Sequence, residues 1–153
     1  MEIATEGDCV LSSGHGQALV PVHPGQSARV PLIVRITDTA ISHRSGNVPA
    51  LATPRLLALM EEAAVRAIAD SIESGQTTVG ITAELTHSVA TPVGGRIEAE
   101  ALVTASHGRR VDFTITVTDL ATRSEVARAT HCRVVVDYKE FVGRLSEPGG
   151  KRR

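Results

Sequence analysis

Residues 53–73 read TPRLLALMEEAAVRAIADSIE, and this stretch decides the fold. Pro54 is preset for a first helical turn, and Thr53 before it carries a side chain able to cap one. Ser74-Gly75 follows, and glycine closes helices readily because it enters the left-handed region without a Cβ clash. Leu56, Leu57, Met60, Ala63, Ala64 and Ala67 recur at helical spacing, and Ile68 widens the stripe. Ala58, Leu59 and Val65 carry the apolar character further round the cylinder. That predicts a helix wrapped by other elements rather than laid on a surface. At about 100° per residue, Glu61 falls on the flank of the stripe and Glu62 points away from it. A carboxylate at the edge of a buried face is either a solvated neighbour or a chemical group.

The chain around the helix reads as strands. Before it, residues 28–37 place Ala28, Val30, Leu32, Val34 and Ile36 on one face. Pro31 lacks a ladder donor, which predicts an irregular start or an edge position. Residues 38–52 form a connection long enough to serve as a binding wall or lid. After the helix, residues 77–88 alternate Val79, Ile81, Ala83 and Leu85 with polar positions, and His87 keeps the apolar parity. Residues 96–106 put Ile97, Ala99, Ala101, Val103 and Ala105 in phase. Residues 109–120 do so with Val111, Phe113, Ile115 and Val117, and a fourth strand spans 125–137. His107-Gly108 reads as a tight turn between strands. A strand, a long apolar helix and four strands on short connections give an α+β fold. A twisted antiparallel sheet of about five strands curls around one helix. Such a half-wrapped sheet leaves edges open, so a symmetric homodimer is expected.

Length and composition bound the rest. A chain of 153 residues suits one domain, here 27–142, with a flexible arm over 1–26 and a disordered tail over 143–153. A short strand over 18–22 is possible within the arm, whose His15 and His23 read as solvated rather than ligating. The net charge of −1 gives no field for nucleic acid or an anionic membrane, and the terminal Lys151-Arg152-Arg153 is too short for a nucleic-acid arm. No apolar run is long enough to span a bilayer. The acidic start lacks an export signal, and Cys9 and Cys132 read as reduced thiols, so the expected location is the cytoplasm. Neither CxxC nor HExxH occurs, which gives a zinc site no support; no metal or cofactor is expected.

Three residues could carry chemistry, and each has a plainer reading. Thr53 could orient a reacting group or simply cap its helix. Glu61 could act as a base or nucleophile, or be a flank charge; Arg66 lies five positions on, not the favoured four. His87 could donate or accept a proton, or be a satisfied core histidine. Thr53 and Glu61 are about 12 Å apart along a helix axis, so if they act together a substrate or partner subunit lies between them. Free N–H groups at the helix start suit a carbonyl oxygen or phosphate. Arg133 shares parity with Ala129, His131 and Val135; it either faces inward and needs an anion or lies on the surface.

The stretches ATPRLLALMEEAAVRAI (52–68), VGITAELTHSVATPVGG (79–95), GRRVDFTITVTD (108–119) and ATHCRVVVD (129–137) together resemble the hotdog-fold acyl-CoA thioesterases, in particular the fluoroacetyl-CoA thioesterase family. The resemblance implies a hotdog fold, hydrolysis of an acyl-CoA thioester to free acid and coenzyme A, and a catalytic set falling on Thr53, Glu61 and His87. It further implies a substrate-contacting glycine and a last-strand arginine, matched here by Gly94 and Arg133. The family's fluoroacetyl-specific enzyme has phenylalanines in the loop before the helix. The corresponding loop here reads DTAISHRSGNVPALA, without an aromatic, so a larger or more polar acyl group is expected. A non-catalytic acyl-CoA-binding module is the alternative. A hotdog hydratase ranks last, because its D-x-N-P-x-H type motif is absent. Acyl carrier protein in place of coenzyme A is left open by the shared pantetheine arm.

Overall fold

The computed structural model describes residues 21–147. Most of the expected arm, with Cys9, His15 and most of the proposed strand over 18–22, lies outside the described residues, as does the end of the tail. The elements are β1 (Ser27–Ile33), a helical turn α1 (Ala40–His43), α2 (Thr53–Ala67), β2 (Gln76–His87), β3 (Arg96–His107), β4 (Arg110–Asp119), β5 (Glu125–Asp137) and α3 (Tyr138–Leu145). They form a five-stranded antiparallel sheet in the order β1-β3-β4-β5-β2, packed against α2. The α+β class and the wrapped helix follow the sequence reading.

The core lies where the periodicities meet. Helix α2 buries Leu56, Leu59, Met60, Ala63, Ala64 and Ala67 against Ile97, Ala99, Ala101 and Val103 of β3 and Val111, Phe113, Ile115 and Val117 of β4. Fully covering a Leu, Ile, Val, Phe or Met side chain contributes about 1.5–3 kcal/mol, so the larger members of this face contribute most of its stabilisation. The wrap is incomplete: Ala58 and Val65 are exposed on the far side of α2, Val65 by 42%.

Several expectations shift in register. The helix ends at Ala67, with a 3-10 turn over Ala69–Ser71, so Gly75 (φ +85°) turns the chain after that extension. β1 stops at Ile33, and Ile36 enters a 3-10 turn that leaves it 73% exposed instead of on the inner face. Pro31 does lie on an edge strand. β2 does not pair with its sequence neighbour β3; it crosses to β5 and forms the other edge.

A bulge at Ile81 resets the parity of β2. Gly80 opposes Arg133 and Thr82 opposes Cys132, so Thr78 and Gly80 share the inner face with Ala83, Leu85 and His87, while Val79 turns outward. A second bulge at Thr104 moves Ala105 off the face it was expected to share with Val103.

Both ends of the domain are longer than expected. Gly25 N–H donates to the Val103 carbonyl and Val103 N–H to that of Gln26, so the ladder starts before residue 27. The proposed tail is helical through Leu145. Asp137 caps α3 by accepting from the Glu140 N–H at 2.8 Å, and Arg144 pairs with Glu140 one turn later.

Candidate active site

Two polar clusters line the concave side of the sheet. The first joins the start of α2 to the end of β2. Ala52 is the helix cap residue, and Thr53 makes no capping bond. Its hydroxyl instead lies 2.9 Å from Nδ1 of His87. Burial of the ring lowers the pKa of His87, against a smaller opposing effect of the Val89 backbone. The imidazole is therefore the neutral, basic form near pH 7. Its Nε2 is buried and has no hydrogen-bond partner among the described residues.

This pair opens on a cavity of about 260 Å³. It is lined by Thr53, His87 and Ala90 together with Ser45, Gly46 and Val48 of the long loop. The loop is held in place by backbone and charge. Leu51 N–H donates to the Thr91 carbonyl, and Ala52 N–H to that of Asp38. Asp38 is buried; it accepts from Arg55 Nε at 2.9 Å and from the Arg35 N–H at 2.8 Å. The Asp38–Arg55 pair ties the loop to the first turn of α2, beside Thr53.

The second cluster surrounds Glu61. Arg133 is only 6% exposed and reaches inward from β5. Its Nη1 donates to Glu61 Oε2 at 2.9 Å, its Nε to Thr78 Oγ1 at 2.9 Å, and its Nη2 to the Thr78 carbonyl at 2.9 Å. The anion that an inward arginine requires is thus Glu61. His131, also buried, lies 3.2 Å from the same Nη1 and 3.9 Å from Glu61. Its other nitrogen, Nδ1, is 2.8 Å from the Thr82 carbonyl. Burial lowers the pKa of His131; the Thr82 carbonyl and Glu61 counter this in part, and Arg133 adds to it.

Gly80 completes the cluster. A Cβ there would stand 2.9 Å from Glu61 Oε2 and 3.0 Å from His131 Cε1. Only glycine lets the carboxylate approach the strand so closely. Gly94, in contrast, takes φ +87° in a turn whose N–H donates to the Val34 carbonyl at 2.7 Å, and its neighbour Gly95 abuts Thr91 and Pro92.

Within one subunit the structure therefore brings Thr53 to His87 and Glu61 to Arg133. No hydrogen bond among the described residues joins Glu61 to Thr53 or His87. Sequence reasoning missed His131, Thr78 and Gly80. A signal for Gly80 was present: glycine inside an otherwise regular strand marks close approach by another group. The parity of His131 with Arg133 was likewise visible. No group of acidic, His and Cys side chains among the described residues is arranged to hold a metal ion, and no helix there is long and apolar enough to cross a membrane.

Comparison with known proteins shows the family and the fold. The family model of fluoroacetyl-CoA-specific thioesterases matches residues 34–139. A fluoroacetyl-CoA thioesterase of Streptantibioticus cattleyicolor is 31% identical over 96 residues, spanning 63% of this chain and 68% of that protein. A solved fluoroacetyl-CoA thioesterase structure superposes with a TM-score of 0.77 at 26% identity, covering 84% of this chain and all of that one. A hot-dog-like protein from Thermanaerovibrio acidaminovorans, 24% identical, superposes at 0.74 over 84% of this chain and 94% of its own, which shows the shared fold. The chain belongs to the fluoroacetyl-CoA-specific thioesterase family, and with it to the acyl-CoA thioesterases of the hotdog fold.

Proposed function

We propose that the protein hydrolyses an acyl-CoA thioester to free acid and coenzyme A in a site built from Thr53, Glu61 and His87 and completed by a second copy of the chain. The observation that carries this reading is the 2.9 Å contact between Thr53 and a neutral His87 at the mouth of a cavity. Thioester hydrolysis needs a base or nucleophile, donors for the developing oxyanion and a proton for the leaving thiolate. Glu61, held as a carboxylate partner of Arg133, supplies the attack, directly on the thioester carbon or through a water. His87 handles the proton with its ring set by Thr53, and the N–H groups at the start of α2 face the carbonyl oxygen.

The two clusters meet across a homodimer. Among the described residues β2 is an edge strand with one ladder side unpaired, and Ile81 on it is 52% exposed. An exposed edge of this length invites pairing with its own copy. With a twofold axis near Ala83, the His87 end of one strand lies against the Thr78–Gly80 end of the other. His87 of the partner subunit then approaches Glu61. The exposed Ala58 and Val65 flank of α2 is available for the same contact.

The acyl group is one larger or more polar than fluoroacetyl. The cavity wall from Ala40 to Leu51 consists of small and aliphatic residues and has no aromatic to fill it. Arg133 contacts the acyl end through the Glu61 cluster, and Gly94 shapes the turn beyond the cavity. The reduced, buried Cys132 fits a cytoplasmic setting. A thiol-release screen over short, branched, aromatic and halogenated acyl-CoAs tests the reading. Release from some member, abolished in Glu61→Gln, is expected; tight binding without release would leave a binding module instead.

A further inference from the structure

Arg133 directs its guanidinium at Glu61, and a third residue determines how it does so. The Thr82 carbonyl can only accept, so the proton of the His131 ring sits on Nδ1, which donates to it at 2.8 Å. Nε2 is then a bare lone pair, and Arg133 Nη1 donates to it at 3.2 Å. The same Nη1 carries a second hydrogen, which meets Glu61 Oε2 at 2.9 Å. Thr78 occupies the opposite edge of the fork, at Nε and Nη2. The guanidinium is thus fixed on both sides, and its remaining Nη1 donor has one direction left, toward the carboxylate. The polar and aromatic neighbours around the ring agree with this arrangement. Glu61 faces it from α2, Arg133 from its own strand, the Thr82 carbonyl from β2, and the Phe113 ring from β4 at a centroid distance of 6.1 Å. A charged ring would place a second N–H against the Arg133 cation inside a buried site.

We propose that His131 is a positioning residue, held as the Nδ1–H tautomer by the Thr82 carbonyl, whose Nε2 lone pair aims Arg133 at Glu61. The inference rests on the reading that Glu61 acts on the thioester, but the tautomer is tested without any turnover.

The experiment has two arms on the full-length protein. In ¹⁵N-labelled protein, the ring shifts of His131 near pH 7 are expected to show a protonated Nδ1 and a bare Nε2. An Nε2–H tautomer would overturn the proposal. In the kinetic arm, His131→Gln keeps an acceptor for Arg133, whereas His131→Asn keeps only a donor for the Thr82 carbonyl. His131→Asn is expected to lower kcat by about 10- to 100-fold with little change in KM, the scale of a carboxylate displaced by about 1 Å. His131→Gln is expected to recover most of that loss, with both variants melting at similar temperatures. Equal losses that track the folded fraction would reduce His131 to a packing residue. If Glu61→Gln kept full activity, the catalytic reading would fall first; if Glu61→Gln were inactive while His131→Asn matched wild type, only the positioning role would fall.

Discussion

The hydroxyl of Thr53 and Nδ1 of His87 lie 2.9 Å apart, joining the first residue of the central helix to the last residue of the edge strand across 34 positions of sequence. A threonine at a helix start usually bonds backbone N–H groups of its own helix; this one leaves them free and orients an imidazole instead. Thr53→Val removes the hydroxyl and keeps the shape. We expect kcat to fall by about 10²- to 10⁴-fold, the range for a positioned proton-transfer partner, with the circular dichroism spectrum and melting temperature nearly unchanged.

Gly80→Ala tests the close approach at the second cluster. The new methyl would stand 2.9 Å from Glu61 Oε2 and 3.0 Å from His131 Cε1, so the carboxylate or the strand must shift. A drop of about 100-fold in kcat is expected, together with about 1–3 kcal/mol of destabilisation from overpacking, measured by urea unfolding. Gly94→Ala acts differently: space is open there, but φ is +87°, so its effect falls on stability through backbone strain.

Acidification weakens both activity and stability, and the sign follows from two histidines. His87 and His131 have folded-state pKa values lowered from 6.5 chiefly by burial, so the unfolded chain takes up protons first as pH falls. The stability they contribute is complete above pH 6.5 and is lost as pH drops through their folded values. Unfolding midpoints between pH 8 and 5 are expected to decline on the acid side, and His131→Gln to flatten that decline. The rate should fall over the same window as His87 becomes charged.

The Asp38–Arg55 pair holds the cavity wall. Arg55→Met leaves a largely buried carboxylate without its cation, though the Arg35 N–H still reaches it. A loss of about 1–3 kcal/mol is expected. The loop should also loosen, so KM rises more than kcat falls. A kcat loss at constant KM would mean that the pair serves the chemistry rather than the wall.

A site shared across the β2 edges makes a stoichiometric prediction. Glu61→Gln and His87→Gln are each expected to be inactive alone. Random mixing of the two inactive chains makes half the dimers mixed, and each mixed dimer then holds one intact site. About a quarter of wild-type activity is expected after mixing and re-equilibration. No recovery, with exchange verified by mass spectrometry of tagged chains, would place Glu61 and His87 of the same chain in one site.

Much of this was legible in the sequence because burial writes a period into it. The strand read over 125–137 matches the bounds of β5, the Thr53-Pro54 signal matches the start of α2, and the 3.6-residue stripe matches its buried face except that Leu59 is buried in place of Leu57. Parity put His87 on the inner face but left Arg133 either inward or on the surface; the structure buries it facing Glu61. Period-based reading failed where a strand gains one residue: the bulges at Ile81 and Thr104 reverse parity for Val79 and Ala105; Gly80 stands beside the first, and no glycine or proline marks the second. Strand order was likewise hidden, because antiparallel β2 and β3 could have formed a hairpin and instead cross the sheet. Thr78 and His131 were missed because their roles depend on where the Arg133 side chain ends, which local pattern does not encode.

Thiol release from a panel of acyl-CoAs, by wild type beside Glu61→Gln and His87→Gln, tests the central claim most directly. At least one acyl-CoA should release free coenzyme A at a rate that falls by about 10²-fold or more in each variant. A wild type that releases none, or a Glu61→Gln chain that releases thiol at the wild-type rate, would contradict it.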